Sequence, residues 1–528
     1  MRTSPGTSQI PNRRWTPCCL VTVRLLLGSP LLAQAGRGPT QAPANPVAIT
    51  HVTVIDVSTG VLLTDRTVLL RERRIAIVDT APKVRVPAGT RRIDGSGRFL
   101  IPGLWDMHTH PVGDRVVRTN TFRLFIANGI TGVRDLWGDC DSGCATDTND
   151  VMRPVPAAIV QRWKHDIDSG ALIGPRIVQS SALFEGPSPM FPGSYAIRSV
   201  EDARASVRLA PEHQVDFIKV LPGLSRDSYL AIVEESRRLG LPVAGHVPFA
   251  MTTAEVSDTR QRSIEHLDDI VGFGPYARAA CSSQPDSLRA AFISAMRSSQ
   301  DTVWAEQVRA QTAYRRVMTE AYSPTLCDSV FARLVRNDTW RVPTVVVHRN
   351  PPLARLGDAS IVSDPRLQYV DARIRERWAR GVATGRRLTP EDSTSIRDVV
   401  GLVVRVPGSM QRAGVQLLAG TDEPNPWVIP GFSLHDELAL FVDGGLTALQ
   451  ALQAATINPA RFLNATDSLG TVAQGKLADL VLFDANPLAD IHNTTRIAVV
   501  IANGRVFDRP TLDRLLREAA RAADAGPR

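Results

Sequence analysis

The sequence predicts an α/β fold: a (β/α)8 TIM-type barrel joined to a small β-sandwich domain that is built from both ends of the chain. Between residues 99 and 468, short apolar runs alternate with helical patterns, which is the order expected when parallel strands alternate with helices. Short runs rich in β-branched residues lie on both sides of this region. These observations predict one barrel flanked by the two halves of a separate β-domain.

The N-terminal residues 1–35 predict a secretory signal peptide. A pair of arginines precedes a largely apolar run from Cys18 to Leu32, and Ala33-Gln-Ala35 has the small residues of a cleavage site. The apolar run is interrupted by an arginine and is too short for a stable membrane span. We therefore expect the protein to be exported to a periplasm or to the extracellular space.

Composition is that of an ordinary globular protein. With 528 residues, 43% of them hydrophobic, the chain is long enough for a barrel and a smaller domain. The formal net charge is +8, and four arginines of the predicted signal peptide, which contains no acidic residue, account for half of it. The remaining charge is spread evenly, so nucleic-acid binding is not indicated. A homo-oligomer is compatible with the sequence.

Two segments, residues 46–98 and 469–508, predict the β-sandwich domain. Residues 36–45 are rich in Gly, Pro and Gln and predict a linker before the first segment, and residues 509–528 predict a C-terminal helix after the second. Both segments contain short β-branched runs, which lie at residues 49–55, 67–70, 75–78, 478–483 and 498–506. Because a matching set of runs returns near the other end of the chain, we expect the two segments to complete one sandwich.

Residues 99–468 predict the barrel. Its eight expected strands lie near residues 99–105, 130–136, 175–180, 216–220, 242–246, 262–267, 341–347 and 415–420. Residues 277–338 are too long for an ordinary connection between two of these strands. Their helix-forming composition predicts a helical insertion beside the site.

The first of these strands ends in two histidines. The apolar run from Phe99 closes on Trp105-Asp-Met-His108-Thr-His110. Side chains at i and i+2 of a strand point to the same face, so His108 and His110 would project together in a geometry suited to one metal ion. A pair of polar residues at a strand end is the alternative that this motif alone leaves open.

Lys219 lies inside another apolar run, Asp216-Phe-Ile-Lys-Val-Leu221. A charged ammonium in a strand interior is costly unless it is paired or neutralised. A lysine can avoid that cost by reacting with carbon dioxide, because the resulting carbamate is anionic and its two oxygens can bridge two metal ions. The alternative is a salt bridge to a nearby acid such as Asp216 or Asp135.

Three further candidates close later apolar runs. His246 ends Pro242-Val-Ala-Gly-His, His266 ends Ser263-Ile-Glu-His, and Asp422 ends Leu418-Ala-Gly-Thr-Asp. Each residue alone would more often be structural. Together they follow the histidine pair and the lysine in order, at the ends of successive predicted strands. This order is a far more specific signal than any one of the residues alone.

In this order and at these spacings the motifs resemble those of the amidohydrolase superfamily, over about residues 46–508. The chain is most similar to the binuclear-metal branch that includes secreted dipeptidases and imidazolonepropionase-like amidohydrolases. Residues 129–135 resemble the second strand of that branch, and residues 434–459 resemble its closing helices. His246 is followed by Val247-Pro248, where the dipeptidases usually have alanine and a small polar residue. This departure concerns the substrate and not the metals.

The resemblance implies a metal-dependent amidohydrolase with two divalent metal ions, for which zinc is the default with imidazole and carboxylate ligands. The implied metal ligands are His108, His110, Asp422, His246 and His266, with a bridging carbamate on Lys219. The first three would hold one ion and the next two the other. Asp422 would also take a proton from the metal-bound water and deliver it to the leaving amine.

The implied reaction is hydrolysis of the C–N (amide) bond of a small substrate, such as a dipeptide or an N-acyl amino acid, by attack of metal-bound hydroxide. A mononuclear deaminase or cyclic amidase is an alternative, although it would not need Lys219. A lactonase or phosphotriesterase could use the same constellation. A non-catalytic binding protein is disfavoured because no ligand position is degraded.

Arg134, Tyr229 and His348 are candidates for residues near the substrate, because each follows or lies near the end of a predicted strand. Each also has a structural explanation: a salt-bridged arginine, a tyrosine on a helix surface and a histidine in a loop. The sequence does not decide between these roles.

Four cysteines follow the predicted signal peptide, and an even number in an exported chain predicts disulfides. Pairing of sequence neighbours is the simplest of three connectivities. It joins Cys140 to Cys144 in a Gly/Asp-rich loop and Cys281 to Cys327 across the helical insertion. Half a zinc site at Cys140 and Cys144 is disfavoured because no second Cys/His pair lies nearby.

Overall fold

The computed structural model describes residues 46–110, 115–140, 154–191, 193–272, 279–298, 304–385 and 388–525. Within them the strands are β1 Val47–Ile55, β2 Leu62–Arg71, β3 Arg74–Thr80, β4 Arg91–Asp94, β5 Phe99–Pro102, β6 Leu104–Thr109, β7 Ile130–Asp135, β8 Arg176–Glu185, β9 Tyr195–Ala196, β10 Phe217–Val220, β11 Val243–Gly245, β12 Ser263–Glu265, β13 Trp340–Val342, β14 Leu480–Phe483, β15 Ile497–Ala502 and β16 Arg505–Asp508.

The helices in the same residues are α1 Arg115–Ala127, α2 Ala157–Ser169, α3 Val200–Leu209, α4 Arg226–Arg238, α5 Thr253–Asp258, α6 Asp268–Val271, α7 Pro285–Ser298, α8 Trp304–Ala321, α9 Pro324–Arg336, α10 Val345–Arg355, α11 Ala359–Val362, α12 Ala372–Gly385, α13 Pro390–Arg412, α14 Phe432–Asp443, α15 Ala448–Ala454, α16 Ile457–Phe462 and α17 Arg509–Asp524. None of the helices in the described residues is long and apolar enough to cross a bilayer.

Strands from both ends of the chain form one sheet, in the order β16-β15-β14-β5-β1-β2-β3, with β4 paired to β1. Alternation along β14 shows how this sheet is buried on both faces. Leu480 and Leu482 pack in a small core of the sheet's own side chains, whereas Val481 and Phe483 pack in the main core with the barrel. The expectation that the two ends combine in one β-domain is confirmed.

The barrel is a parallel sheet in the order β6-β7-β8-β10-β11-β12-β13. The segment before Asp422 fills the eighth strand position, although it forms only isolated bridges. Leu418 N donates to Arg341 O on one side at 2.9 Å, and Met107 N donates to Ala419 O on the other at 2.9 Å. These bonds connect the last strand position to both β13 and β6 and confirm the predicted barrel.

The first apolar run of the barrel proves to be two strands in different sheets. Phe99–Pro102 forms β5, which pairs with β1 and β14 of the terminal sheet, and the barrel strand begins at Leu104. Gly103 lies at the crossing, where a Cβ would approach Thr131 Oγ1 to 1.9 Å, so only glycine fits. A continuous apolar run carries no signal of such a change of sheet. The seventh strand is also shorter than expected, since α10 begins at Val345.

The segment expected to form a helical insertion contains α7, α8 and α9, and α8 packs against α13. The predicted Cys281–Cys327 disulfide is confirmed, with Cα atoms 4.8 Å apart. Cys144 lies outside the described residues, so its pairing with Cys140 stays a prediction. The predicted signal peptide and linker also lie outside them. The C-terminal helix α17 packs against α1.

Candidate active site

The predicted metal ligands meet at the carboxyl ends of the barrel strands. They line one cavity of about 780 Å³, and they are His108, His110, Lys219, His246, His266 and Asp422. This is the end of a (β/α)8 barrel at which active sites form, because loops of different strands converge there. The structure therefore brings together all six side chains, which are spread over more than 300 residues of sequence.

Asp422 lies beside the histidine pair at the end of β6. Its Oδ1 atom is 2.8 Å from His110 Nε2 and 3.2 Å from His108 Nε2. One ligand atom each from His108, His266 and Asp422 lies within 4.8 Å of the others, close enough for one metal ion. Asp422 holds a left-handed backbone conformation (φ 61°), and its N–H donates to His108 O at 2.7 Å. Strained residues of this kind persist where the surrounding structure fixes them, often at functional sites.

The other two histidines lie beside this group. The ring of His266 is 4.6 Å from that of His108 and 4.8 Å from that of His246, measured between centroids. His266 Nδ1 is hydrogen-bonded to Thr344 Oγ1 at 2.8 Å, which leaves its Nε2 for a ligand. A fixed partner on one ring nitrogen is the usual way in which a protein orients a metal-binding histidine.

Lys219 is 1% exposed, and its Nζ has no hydrogen-bond partner among the described residues. Neither ion pair that the sequence left open is formed. Asp216 pairs with Lys164 at 3.1 Å, and Asp135 accepts from Trp137 N at 2.9 Å. Burial lowers the pKa of Lys219 to about 8, although the carboxylates of Glu265 and Asp422 oppose this shift.

The unpartnered atoms of the site fit divalent metal ions. His110 Nδ1, His246 Nδ1 and Lys219 Nζ are buried without a hydrogen-bond partner among the described residues, although buried polar atoms normally have one. Burial also lowers the pKa of His110, and it lowers that of His246 and His266 well below the usual value. These histidines are therefore neutral, which is the form that binds metal.

Glu265 is an important residue that the sequence analysis did not identify. Its Oε2 is 2.9 Å from His108 Nδ1, and both of its oxygens accept from Arg134 Nη2 at 2.8 Å. Burial alone would raise the pKa of Glu265, but the charge of Arg134 and the bond with His108 hold it well below the usual range. Glu265 is thus an ionised carboxylate that orients a metal-binding histidine. An acid inside the apolar strand β12 was the available signal.

Asp106 positions the segment that carries Asp422. Its two carboxyl oxygens accept from Thr421 N at 3.0 Å and from Thr421 Oγ1 at 2.7 Å. Asp106 also accepts from His108 N at 3.2 Å. Complete burial raises the pKa of Asp106 to about 7, while these hydrogen bonds limit the shift. One buried carboxyl group therefore connects the strand of the histidine pair to the strand of the aspartate.

The three candidates for residues near the substrate lie in different places. Arg134 is buried beneath the site, where it also donates to Met107 O at 2.7 Å and does not line the cavity. Tyr229 does not line it either, because its hydroxyl donates to Gln261 Oε1 at 2.9 Å within the packing of α4. Both polar groups are hydrogen-bonded inside the fold, and a place near the substrate stays a prediction for these two residues. His348 lies near the site, with its ring centroid 6.1 Å from that of His266.

An apolar wall lies beside the metal-binding residues. Its core is the packed group of Trp137, Leu183 and Leu221, and the Trp137 ring contacts the rings of His110 and Phe191 at centroid distances of 6.0 and 5.7 Å. Edge-to-face contacts of this kind fix ring orientation. The sequence analysis missed this wall because its members come from separate strands and loops.

Comparison with known proteins gives one family match and several related folds. Residues 403–507, which include Asp422 and run from α13 to β16, match the model of the Amidohydrolase family. Bottromycin amidohydrolase has 23% identity to this chain and a TM-score of 0.68, with 90% of each chain covered.

Two other solved structures share the fold. A Xaa-Pro dipeptidase with methionine bound in its active site has 18% identity and a TM-score of 0.58, covering 88% of this chain and 100% of that one. Ochratoxinase from A. niger has 18% identity and a TM-score of 0.57, covering 89% of this chain and 97% of that one. A search of curated proteins finds none that matches.

Proposed function

We propose that the chain is a member of the amidohydrolase superfamily and a metal-dependent hydrolase that cleaves the C–N (amide) bond of a small substrate. Water adds across that bond and gives a carboxylic acid and an amine. The observation that carries the proposal is the convergence of four histidines, Lys219 and Asp422 in one cavity, with several of their nitrogen atoms buried and unpartnered among the described residues.

The donor set supports a proposal of two metal sites. His108, His110 and Asp422 would hold one ion, and His246 and His266 the other, with Lys219 as a carbamate between them. Two bound divalent ions, for which zinc suits these ligands, would lower the pKa of a water molecule and polarise the scissile carbonyl. The buried, unpaired Nζ of Lys219 supports the carbamate, because a neutral amine is the form that reacts with carbon dioxide.

Asp422 is the proton carrier of the proposed reaction. Its Oδ1 faces both His108 and His110, while Oδ2 is 3.8 Å from His266 Nδ1. Burial alone would raise the pKa of Asp422, but the surrounding histidines hold it well below the usual range. The carboxylate is therefore ionised and can accept a proton from the attacking water, which it then passes to the leaving nitrogen.

Export is part of the proposal. The signal-like N-terminus and the Cys281–Cys327 disulfide support a periplasmic or extracellular location, because disulfides persist in oxidising compartments. The substrate is then a small molecule or peptide present outside the cytoplasm.

A single-metal deaminase or cyclic amidase is the second candidate. It is favoured by one observation. Among the His, Cys, Asp and Glu side chains of the described residues, His108, His266 and Asp422 form the one group of three whose ligand atoms all lie within 4.8 Å of one another. A carboxylated Lys219 would have no second ion to bridge in such an enzyme.

Metal analysis of the purified protein, combined with a substrate panel, tests both candidates. We expect about two divalent ions per chain, and loss of activity on chelation that added metal reverses. The panel contains linear amides, cyclic amides, lactones and phosphotriesters. About one ion per chain with turnover of cyclic amides would favour the second candidate. Turnover of only lactones or phosphotriesters would overturn amide hydrolysis.

A further inference from the structure

The cavity wall beyond the metal-binding residues is apolar and acidic. Its large apolar members are Trp137, Leu183, Met190, Phe191, Leu221 and Phe249. Glu185 and Asp268 supply carboxyl groups to the same lining. Among the described lining residues, Lys219 is the only cation, and it belongs to the metal-binding set. Among the described lining residues, a substrate carboxylate bound against this wall would thus meet acidic side chains and no arginine.

Glu185 lies at a defined height above the metal-binding residues. It is the last residue of β8, and alternation places it on the same face as Leu183. Leu183 is the partner of Lys219 in the pairing of β8 with β10. Glu185 is therefore about 7 Å further along the strand than the level of Lys219, since two strand residues span that rise. A small substrate held by the metal-binding residues could therefore place another of its groups at the level of Glu185.

The carboxylate of Glu185 has almost no protein partner. The residue is 5% exposed, and its one hydrogen bond among the described residues is a long one, from Phe191 N at 3.4 Å. No described lysine, arginine or histidine pairs with Glu185. Glu185 lines the cavity, and a buried carboxylate is stabilised by a cation or by several donors, so a cationic group bound there would supply a partner that the described residues do not.

We propose that Glu185 binds a protonated amine of the substrate, and that the enzyme hydrolyses amides of apolar, amine-bearing acyl groups that lack a carboxylate next to the scissile bond. Aminoacyl amides with an aromatic or aliphatic side chain have this chemistry. The apolar side chain packs on Trp137 and Phe191, whose ring faces also attract an ammonium group. This inference rests on the proposed amide hydrolysis and specifies its substrate class.

A binding experiment on the metal-loaded protein tests the subsite without requiring turnover. The probes are 2-phenylethylammonium and 2-phenylethanol, which share a ring and differ in charge, measured by calorimetry at neutral pH. We expect the ammonium probe to bind roughly tenfold more tightly, as a charge-assisted hydrogen bond allows. In Glu185→Gln the two probes should bind equally, because the amide keeps the contact with Phe191 N but loses the charge. Glu234→Gln, at an exposed residue of α4, is the matched control and should keep the preference.

Turnover of three matched substrates then tests the substrate class: phenylalanyl-glycinamide, its N-acetyl derivative and phenylalanyl-glycine. We expect kcat/KM to be at least about tenfold higher for the first than for the other two, and Glu185→Gln to remove its advantage over the acetylated compound. A preference for phenylalanyl-glycine, or a ratio unchanged in Glu185→Gln, would overturn the inference. If no amide is hydrolysed but ammonium binding depends on Glu185, the proposed function fails and the subsite stands.

Discussion

The carboxylate of Glu265 lies 2.9 Å from Nδ1 of His108 and is held there by the guanidinium of Arg134. All three side chains are fully buried. The pairing fixes which nitrogen of His108 carries its proton and which faces the cavity, provided that the Glu265 carboxylate remains ionised. A residue that touches no substrate thus determines the geometry of a predicted metal ligand.

Replacing Glu265 with glutamine should weaken metal binding. The amide keeps the volume of the side chain but removes the negative charge that orients His108 and neutralises Arg134. We expect a loss of roughly 10- to 100-fold in metal affinity, measured by competition with a chelator. Glu234→Gln serves again as the control. Unchanged affinity in Glu265→Gln would show that the backbone alone orients His108.

Replacing Lys219 with alanine should remove the bridge between the two metal positions. We expect the protein to lose at least one ion and its activity, with partial rescue by added short carboxylic acids that supply a substitute bridge. Lys164→Ala, which breaks only the surface pair with Asp216, should keep both. Full metal content and normal turnover in Lys219→Ala would make Lys219 a structural residue.

Asp422→Asn should separate metal binding from proton transfer. Asparagine keeps an oxygen ligand, so metal content should fall only modestly. Turnover of an amide should fall by about a hundredfold or more, the usual effect of losing a general base. Asp484→Asn, at a surface pair with Arg98, is the control. Near-normal amide hydrolysis by an Asp422→Asn protein with both ions would exclude Asp422 as the proton carrier.

Tyr229→Phe should affect stability and not catalysis, because the Tyr229 hydroxyl bonds Thr259 and Gln261 inside the fold. We expect the free energy of unfolding to fall by about 1 to 3 kcal/mol, the cost of leaving a buried group unsatisfied. Denaturant titration measures this loss, and kcat and KM should both stay at the wild-type values. A raised KM at normal stability would return Tyr229 to the substrate site.

Removing the Cys281–Cys327 disulfide should destabilise the helical insertion. For a sequence separation of 46 residues, the chain-entropy model gives up to about 4 kcal/mol of stabilisation. The double variant Cys281→Ala/Cys327→Ala should therefore unfold at lower denaturant concentration while it retains metal, since neither cysteine lines the cavity. Titration of two free thiols at these positions in the oxidised wild-type protein would contradict the bridge.

The sequence by itself determined the barrel, the β-domain shared by the two chain ends and the disulfide across the insertion. Hydrophobic alternation and strand-end motifs such as His108-Thr-His110 indicate to which face of its own strand a side chain points. They also identified the six residues that the structure brings to one cavity, because parallel strands of a barrel present all their carboxyl ends on one side.

Only the tertiary structure decided which buried charges meet. Glu265 comes from the sixth barrel strand, Arg134 from the second and His108 from the first, and no local pattern connects them. The same holds for Phe99–Pro102, which continues an apolar run but pairs in another sheet, and for Glu185, whose lack of a partner is visible only once the strands around it are placed. Sequence periodicity indicates which face of a strand or helix is buried. The closure of the barrel decides which side chains lie next to that face, and the free energy of a buried charge depends on those neighbours.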